Sequence, residues 1–166
     1  IERRFLCGNH EAGLLTFLHD PGFGPLWLQW GMESTIQSYA IDPEMIYREG
    51  FAAVRDALEK AMPQSHKDFY HGLETSIRLG DYLFVHAGIR PGTPLPAQKF
   101  DDLTFIREPF LQDERDFGFR VVHGHTPVPE VEMYANRINT DTGAFIYGTL
   151  SCVVLEGNQA RVLQVK

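Results

Sequence analysis

Phe5-Leu6-Cys7-Gly8-Asn9-His10-Glu11 is the stretch on which the reading of the fold turns. Phe5-Leu6-Cys7 is a short apolar run that reads as the end of a buried strand, and residues 1–7 together are expected to be strand. Gly8 breaks the run. From Glu11 a helical period begins, with Leu14, Leu15, Phe17 and Leu18 on one face, which predicts a helix over residues 11–19. Asn9 and His10 then fall on the turn between a strand's C-terminal end and a helix N-terminus. Open α/β sheets place ligands at such turns, and the N–H groups of a helix start favour anions. An amide oxygen beside an imidazole offers one metal ligand and one acid–base group.

Two more motifs of this kind follow. Ser76-Ile77-Arg78-Leu79 alternates, Gly80-Asp81 makes a turn, and Tyr82-Leu83-Phe84-Val85 is continuously apolar. This predicts a β-hairpin whose second strand is buried on both faces. It ends in His86-Ala87-Gly88. Phe119-Arg120-Val121-Val122 is a further strand, ending in His123-Gly124-His125-Thr126-Pro127. Strands of one sheet bring their C-terminal ends together, so Asn9, His86 and His125 can meet although far apart in sequence. An amide oxygen with two imidazole nitrogens suits Mn, Fe or Zn rather than Ca. Gly8, Gly88 and Gly124 accompany the candidate ligands and let backbone approach a crowded ion. A lone histidine after a strand is more often a hydrogen-bonded turn residue than a ligand, and His19, His66 and His71 are read that way. His123 reads as a supporting or packing group. Three such motifs in order favour the metal reading.

The remaining segments read as connections and helices. Asp20 to Pro25 is a turn-rich break. Trp27 to Ala40 carries aromatics among polar residues, which fits surface helices with packed rings better than a substrate lid. Asp42-Pro43 suits an N-cap followed by a first-turn proline. Phe51, Val54, Leu58 and Met62 share one helical face, ended by Pro63, and Ser65 to Leu73 forms a second short helix. Pro91 to Pro96 is a loop. Asp101 and Asp102 open a short helix carrying Ile106-Arg107-Glu108-Pro109-Phe110. Arg137 to Thr140 is strand-like and stops at Asp141-Thr142-Gly143. Leu150 to Leu155 and Arg161 to Val165 flank a hairpin turn at Glu156-Gly157-Asn158-Gln159. No repeat and no linker divides the chain, so 1–166 are read as a single domain.

Bulk properties narrow the function classes. A chain of 166 residues can bury a substantial core. Its formal charge of −7, from 22 acidic and 15 basic residues, argues against a nucleic-acid partner but allows a local basic pocket for one phosphate. Cys7 and Cys152 lie in apolar runs and read as buried, reduced thiols of a cytoplasmic protein. No apolar run approaches the ~18 residues of a membrane span, so no membrane partner is expected. No signal peptide is read. The chain starts at Ile1 and enters mid-strand, so an upstream segment is expected. Nothing sets the oligomeric state.

Gly8-Asn9-His10-Glu11, His86-Ala87-Gly88 and Gly124-His125-Thr126 together resemble the last three signature blocks of the calcineurin-like metallophosphoesterases. The bacterial serine/threonine protein phosphatase branch is the most similar, through Ile106-Arg107-Glu108 and Asn139-Thr140-Asp141-Thr142-Gly143. The resemblance runs over nearly the whole chain. It implies an α/β fold, a calcineurin-like mixed β-sandwich flanked by helices, with its N-terminal part missing and a two-metal site at the strand ends. It assigns Asn9, His86 and His125 to one metal, His10 as the acid that protonates the leaving oxygen, and Arg107 to the substrate phosphate. The implied reaction is in-line attack on a phosphomonoester by a metal-bridging hydroxide. The substrate would be a phosphorylated protein or a small phosphoester. A surface ion pair with Glu108 or a nearby Asp is the structural alternative for Arg107.

The pattern departs from the family in two ways. Cys7 stands where a basic residue is usual. The family's Asp-x-His and Gly-Asp-x-x-Asp-Arg blocks are absent, and Gly80-Asp81-Tyr82 only begins like the second. Without their bridging carboxylate, two divalent cations would face neutral ligands and repel each other uncompensated. For the complete protein the resemblance implies two divalent ions (Mn, Fe or Zn). This chain alone should hold at most one, weakly, with little activity and with an exposed sheet edge and apolar face. The competing functions are a dinucleoside polyphosphate hydrolase and a degenerate, non-catalytic binding module.

Overall fold

A computed structural model describes residues 2–157 and 159–166. The chain divides between Leu73 and Glu74 into two compact units.

The first unit is helical: α1 (Asn9–His19), α2 (Gly24–Leu28), α3 (Met32–Ser38), α4 (Met45–Glu49), α5 (Phe51–Ala61) and α6 (Gln64–His71). Phe17, Met32, Ile36, Val54 and Leu58 are fully buried around Trp27. The α5 spacing read from sequence holds, with Val54 and Leu58 inward. Trp27 packs inward from α2, whose Pro25 and Leu26 are exposed: it is 1 % exposed with its ring 5.0 Å from Phe17, as expected of a surface helix with a packed aromatic. Gly13 makes room for it, since a Cβ there would lie 2.9 Å from the indole. Asp42-Pro43 precedes α4 rather than opening it; Asp42 Oδ1 accepts from the Glu44 N–H at 3.1 Å.

No strand forms over residues 2–7; Leu6 is an isolated bridge residue, and Ile1 lies outside the described residues. Phe5 instead packs edge-on against Phe69, with ring centroids 5.1 Å apart. The helix begins at Asn9, two residues earlier than expected. Gly8 takes the extended N-cap conformation, and its N–H donates to the Glu11 carboxylate at 2.9 Å. Glycine has no side chain to return the second bond of a capping box, so only half of that motif forms. Asn9 and His10 are thus the first two residues of α1, not a turn before it.

Cys7 is 4 % exposed, and burial, reinforced by the Glu11 charge, pushes its thiol up to about 11. Cys152 is exposed, which corrects the expectation that both are buried. Iodoacetamide at pH 8 should therefore label Cys152 and spare Cys7, whose thiolate fraction is depressed on the order of 10²-fold. Peptide mass mapping reads this directly; equal labelling would contradict the burial of Cys7.

The second unit is α/β. Its five-stranded mixed sheet has β1 (Ser76–Leu79), β2 (Tyr82–Val85), β3 (Arg120–His123), β4 (Glu132–Met133) and β5 (Arg137–Asn139) in the order β1-β2-β3-β5-β4. β1 and β2 form the expected hairpin. β2 and β3 run parallel with Phe84 beside Val122, and β3 and β5 run parallel with Val122 beside Ile138. Leu83 and Val85 are buried but Tyr82 and Phe84 only half-buried, so β2 is not enclosed on both faces. α7 (Phe100–Phe105) covers the sheet through Leu103, joined by Ile106 and Phe110. α7 stops at Phe105, short of the expected run to Phe110, and Ile106 is already extended, with ψ 139°. α8 (Ala144–Tyr147) is one turn. β6 (Leu150–Glu156) and β7 (Gln159–Val165) pair as a separate two-stranded sheet, and Asn158 of its turn lies outside the described residues. Leu150 opposes Val165 and Cys152 opposes Leu163, and all four are exposed, which is why Cys152 reaches solvent. Among the described residues no helix is long and apolar enough to cross a membrane.

Candidate functional site

β2 and β3 are parallel neighbours, so their C-terminal ends lie side by side. His86 directly follows β2, and its carbonyl accepts from the Gly124 N–H at 2.8 Å, extending the ladder past β3. A Cβ on Gly124 would meet that of Asp141 at 3.3 Å, so the close approach suits glycine. The chain then turns at His125, which has φ 65°. Left-handed backbone costs a non-glycine residue about 1 kcal/mol or more, so surrounding bonds must hold the turn. Asn139 Nδ2 donates to the Thr126 carbonyl at 2.8 Å, and Asp141 N–H donates to Asn139 Oδ1 at 3.1 Å. Thr140 donates to the His123 carbonyl from its N–H at 2.8 Å and its hydroxyl at 3.1 Å.

This turn faces His125 Nδ1 to His86 Nε2 at 3.3 Å, with ring centroids 5.1 Å apart and planes at 60°. Two imidazole nitrogens bound tetrahedrally to one ion at the usual metal–nitrogen distance stand about 3.3 Å apart. The pair therefore has the span of two ligands of a divalent cation. Burial pushes His125 down to about 4; the charges of Arg107 and His86 add to this, and the Phe105 carbonyl and Asp141 partly oppose it. At neutral pH His125 is uncharged and keeps a lone pair for a metal. Among the described residues no group of three or more His, Cys, Asp or Glu side chains forms a metal cage.

Arg107 is exposed just past α7, and its Nη2 reaches the His125 carbonyl at 3.5 Å. The ion pair with Glu108 or a nearby Asp does not form among the described residues. The guanidinium is presented beside the histidine pair. The second unit by itself thus brings His86, His125 and Arg107 together. Asn9 and His10 belong to the first unit, half-buried and exposed respectively on the opening turn of α1.

His123 is a packing residue, 2 % exposed and edge-on to Phe110 at 5.0 Å. Its Nδ1 donates to the Gly124 carbonyl at 3.1 Å, and burial holds it down at about 4 despite that bond. For both His123 and His125 the folded value lies below the ordinary 6.5. The unfolded chain then binds more protons between the two values. Stability is complete above about pH 6.5 and is lost as pH falls toward 4, by about 3 kcal/mol for His123. Urea titrations with chelator present should show the decline, and His123→Phe should reduce it to the His125 share. An unchanged slope would contradict the buried neutral ring.

One feature of the site carried no signal in the sequence. Asp102, legible only as a helix-opening acid, is 8 % exposed and pairs with Arg90. Arg90 Nε donates to Oδ2 at 2.9 Å and Nη2 to Oδ1 at 2.5 Å. Nothing in a spacing of twelve residues marks such a pair.

No family model and no curated protein matches the chain. A crystal structure of "a putative diadenosine tetraphosphatase" superposes with a TM-score of 0.65 at 18% identity, over 97% of this chain and 68% of the other. The chain shares the α/β fold of that structure.

Proposed function

We propose that the chain carries part of the catalytic centre of a metal-dependent phosphoesterase of the calcineurin-like type, hydrolysing phosphomonoesters as serine/threonine protein phosphatases do. The His86–His125 pair is the observation that supports this most: two imidazoles 3.3 Å apart at parallel strand ends, with an exposed guanidinium beside them. A divalent ion such as Mn, Fe or Zn would supply Lewis-acid polarisation of the phosphoryl oxygen and a water of lowered pKa. His86 and His125 would hold it, and the motif resemblance alone assigns Asn9 as an oxygen ligand. Arg107 offers a planar fork that matches phosphate oxygens. His10 would give a proton to the leaving oxygen. The complete binuclear centre would take two ions, and these residues alone at most one, weakly.

The likeness in fold to a tetraphosphatase favours a dinucleoside polyphosphate hydrolase equally. Hydrolysis of a phosphopeptide and of a dinucleoside tetraphosphate, each with Mn²⁺, separates the two. The phosphatase reading expects slow phosphopeptide turnover that EDTA abolishes and His10→Asn lowers. Turnover of the dinucleotide alone would favour the second reading. Mn²⁺ binding without any turnover would mark a non-catalytic binding module.

A further inference from the structure

The Arg90–Asp102 ion pair joins the two segments that carry the histidine–arginine cluster. Arg90 lies on the loop after His86, and Asp102 lies in the first turn of α7, which ends two residues before Arg107. A second tie runs alongside it, from the Ala87 N–H to the Leu103 carbonyl at 2.9 Å. Gln98 closes the loop between them: its Oε1 accepts from the Arg90 N–H at 2.8 Å, and its Nε2 donates to the Arg90 and Thr93 carbonyls at 3.0 and 2.8 Å. These bonds fix α7 against the end of β2. The exit of α7 in turn sets the Phe105 ring 6.3 Å from His125 and brings Arg107 to the His125 carbonyl.

The burial of Asp102 is the informative part. An acid in a helix's first turn favours the dipole equally well when exposed. Burying it costs desolvation that an ion pair repays poorly as stability. A bidentate guanidinium–carboxylate pair does impose one relative orientation on the segments it joins. Arg107 itself is long and exposed and reaches the His125 carbonyl at 3.5 Å, so its placement depends on the backbone that carries it.

We propose that Arg90 and Asp102 are positioning residues that aim Arg107 at the substrate phosphate; this rests on the phosphoesterase reading. Small displacements of a binding group are expensive, so loosening α7 should weaken phosphate binding and leave the histidine pair in place.

The test is calorimetric titration of inorganic phosphate, with Mn²⁺ present, into wild type, Arg107→Ala, Arg90→Gln, Arg90→Lys and Asp102→Asn, with Mn²⁺ affinity measured in parallel. Arg90→Gln and Asp102→Asn should each weaken phosphate binding on the order of 10-fold while Mn²⁺ affinity stays within about twofold. Arg90→Lys, which keeps the charge without the fork, should fall between. Arg90 is exposed, so its variants fold and decide the matter if Asp102→Asn does not. Unchanged phosphate affinity in Arg90→Gln, with Arg107→Ala defective, would overturn the positioning role and leave the phosphoesterase reading standing. A parallel loss of Mn²⁺ affinity would overturn it too, as general loosening. No phosphate binding by wild type, or none lost in Arg107→Ala, would overturn the phosphoesterase reading and the proposal with it.

Discussion

Replacing His125 with alanine should lower Mn²⁺ affinity by 10²-fold or more and abolish metal-dependent phosphoester turnover. Loss of a group that merely supports a ligand already costs about 10- to 100-fold in metal affinity, and loss of a ligand costs at least that. The effect should be specific. His125 lies in a turn at φ 65° that is also held by bonds from Asn139, Thr140 and Asp141. Alanine keeps the left-handed cost, so stability should change little. His125→Gly, which relieves it, should gain about 1 kcal/mol and lose the metal equally. Calorimetry with Mn²⁺ and urea unfolding, run on both variants, separate ligand loss from unfolding. Retained Mn²⁺ affinity in either variant would remove His125 from the metal reading.

The second large effect is structural. Trp27→Ala should destabilise the first unit by about 3–5 kcal/mol, most of the margin of a small domain. Trp27 is 1 % exposed, and the indole fills the space between Phe17 and the bare backbone of Gly13. Neither neighbour can collapse into the void, since Phe17 is itself fully buried. Urea unfolding followed by far-UV dichroism should show the helical transition moving to lower midpoint at constant slope. A shift below about 1 kcal/mol would mean the indole is not a core residue.

What could be read from the sequence was local. The β1–β2 hairpin was legible because alternation, a Gly-Asp turn and a buried run all lie within ten residues. α5 was legible because its apolar spacing is helical over its whole length. Phe5-Leu6-Cys7 forms no strand: an apolar triplet does not reveal whether a partner strand exists, and here Leu6 makes a lone bridge while Phe5 packs on Phe69. The helix start moved from Glu11 to Asn9 because apolar spacing marks the buried face, whereas the Gly8–Glu11 bond marks the end. An apolar run suggests burial for Cys152, but a two-stranded sheet leaves one face of β6 and β7 uncovered.

The candidate site divides the same way. That His86 and His125 sit at strand ends was visible in the pattern, and the parallel pairing of β2 and β3 brought them together. The left-handed turn that faces the two rings, and the Arg90–Asp102 pair behind Arg107, depend on tertiary bonds between distant residues and leave no periodic trace. Asn9 and His10 are helical rather than a strand-end turn. Their assignment to a metal ligand and an acid rests on the motif rather than on that geometry.

Long-range ¹H–¹⁵N spectra of the histidine rings during a Zn²⁺ titration read whether His86 and His125 share a divalent ion. His86 Nε2 and His125 Nδ1 should shift together to metal-bound values as the first equivalent is added, while His19, His66 and His71 stay in place. Shifts confined to those surface histidines, or no shift at His86 and His125, would contradict it.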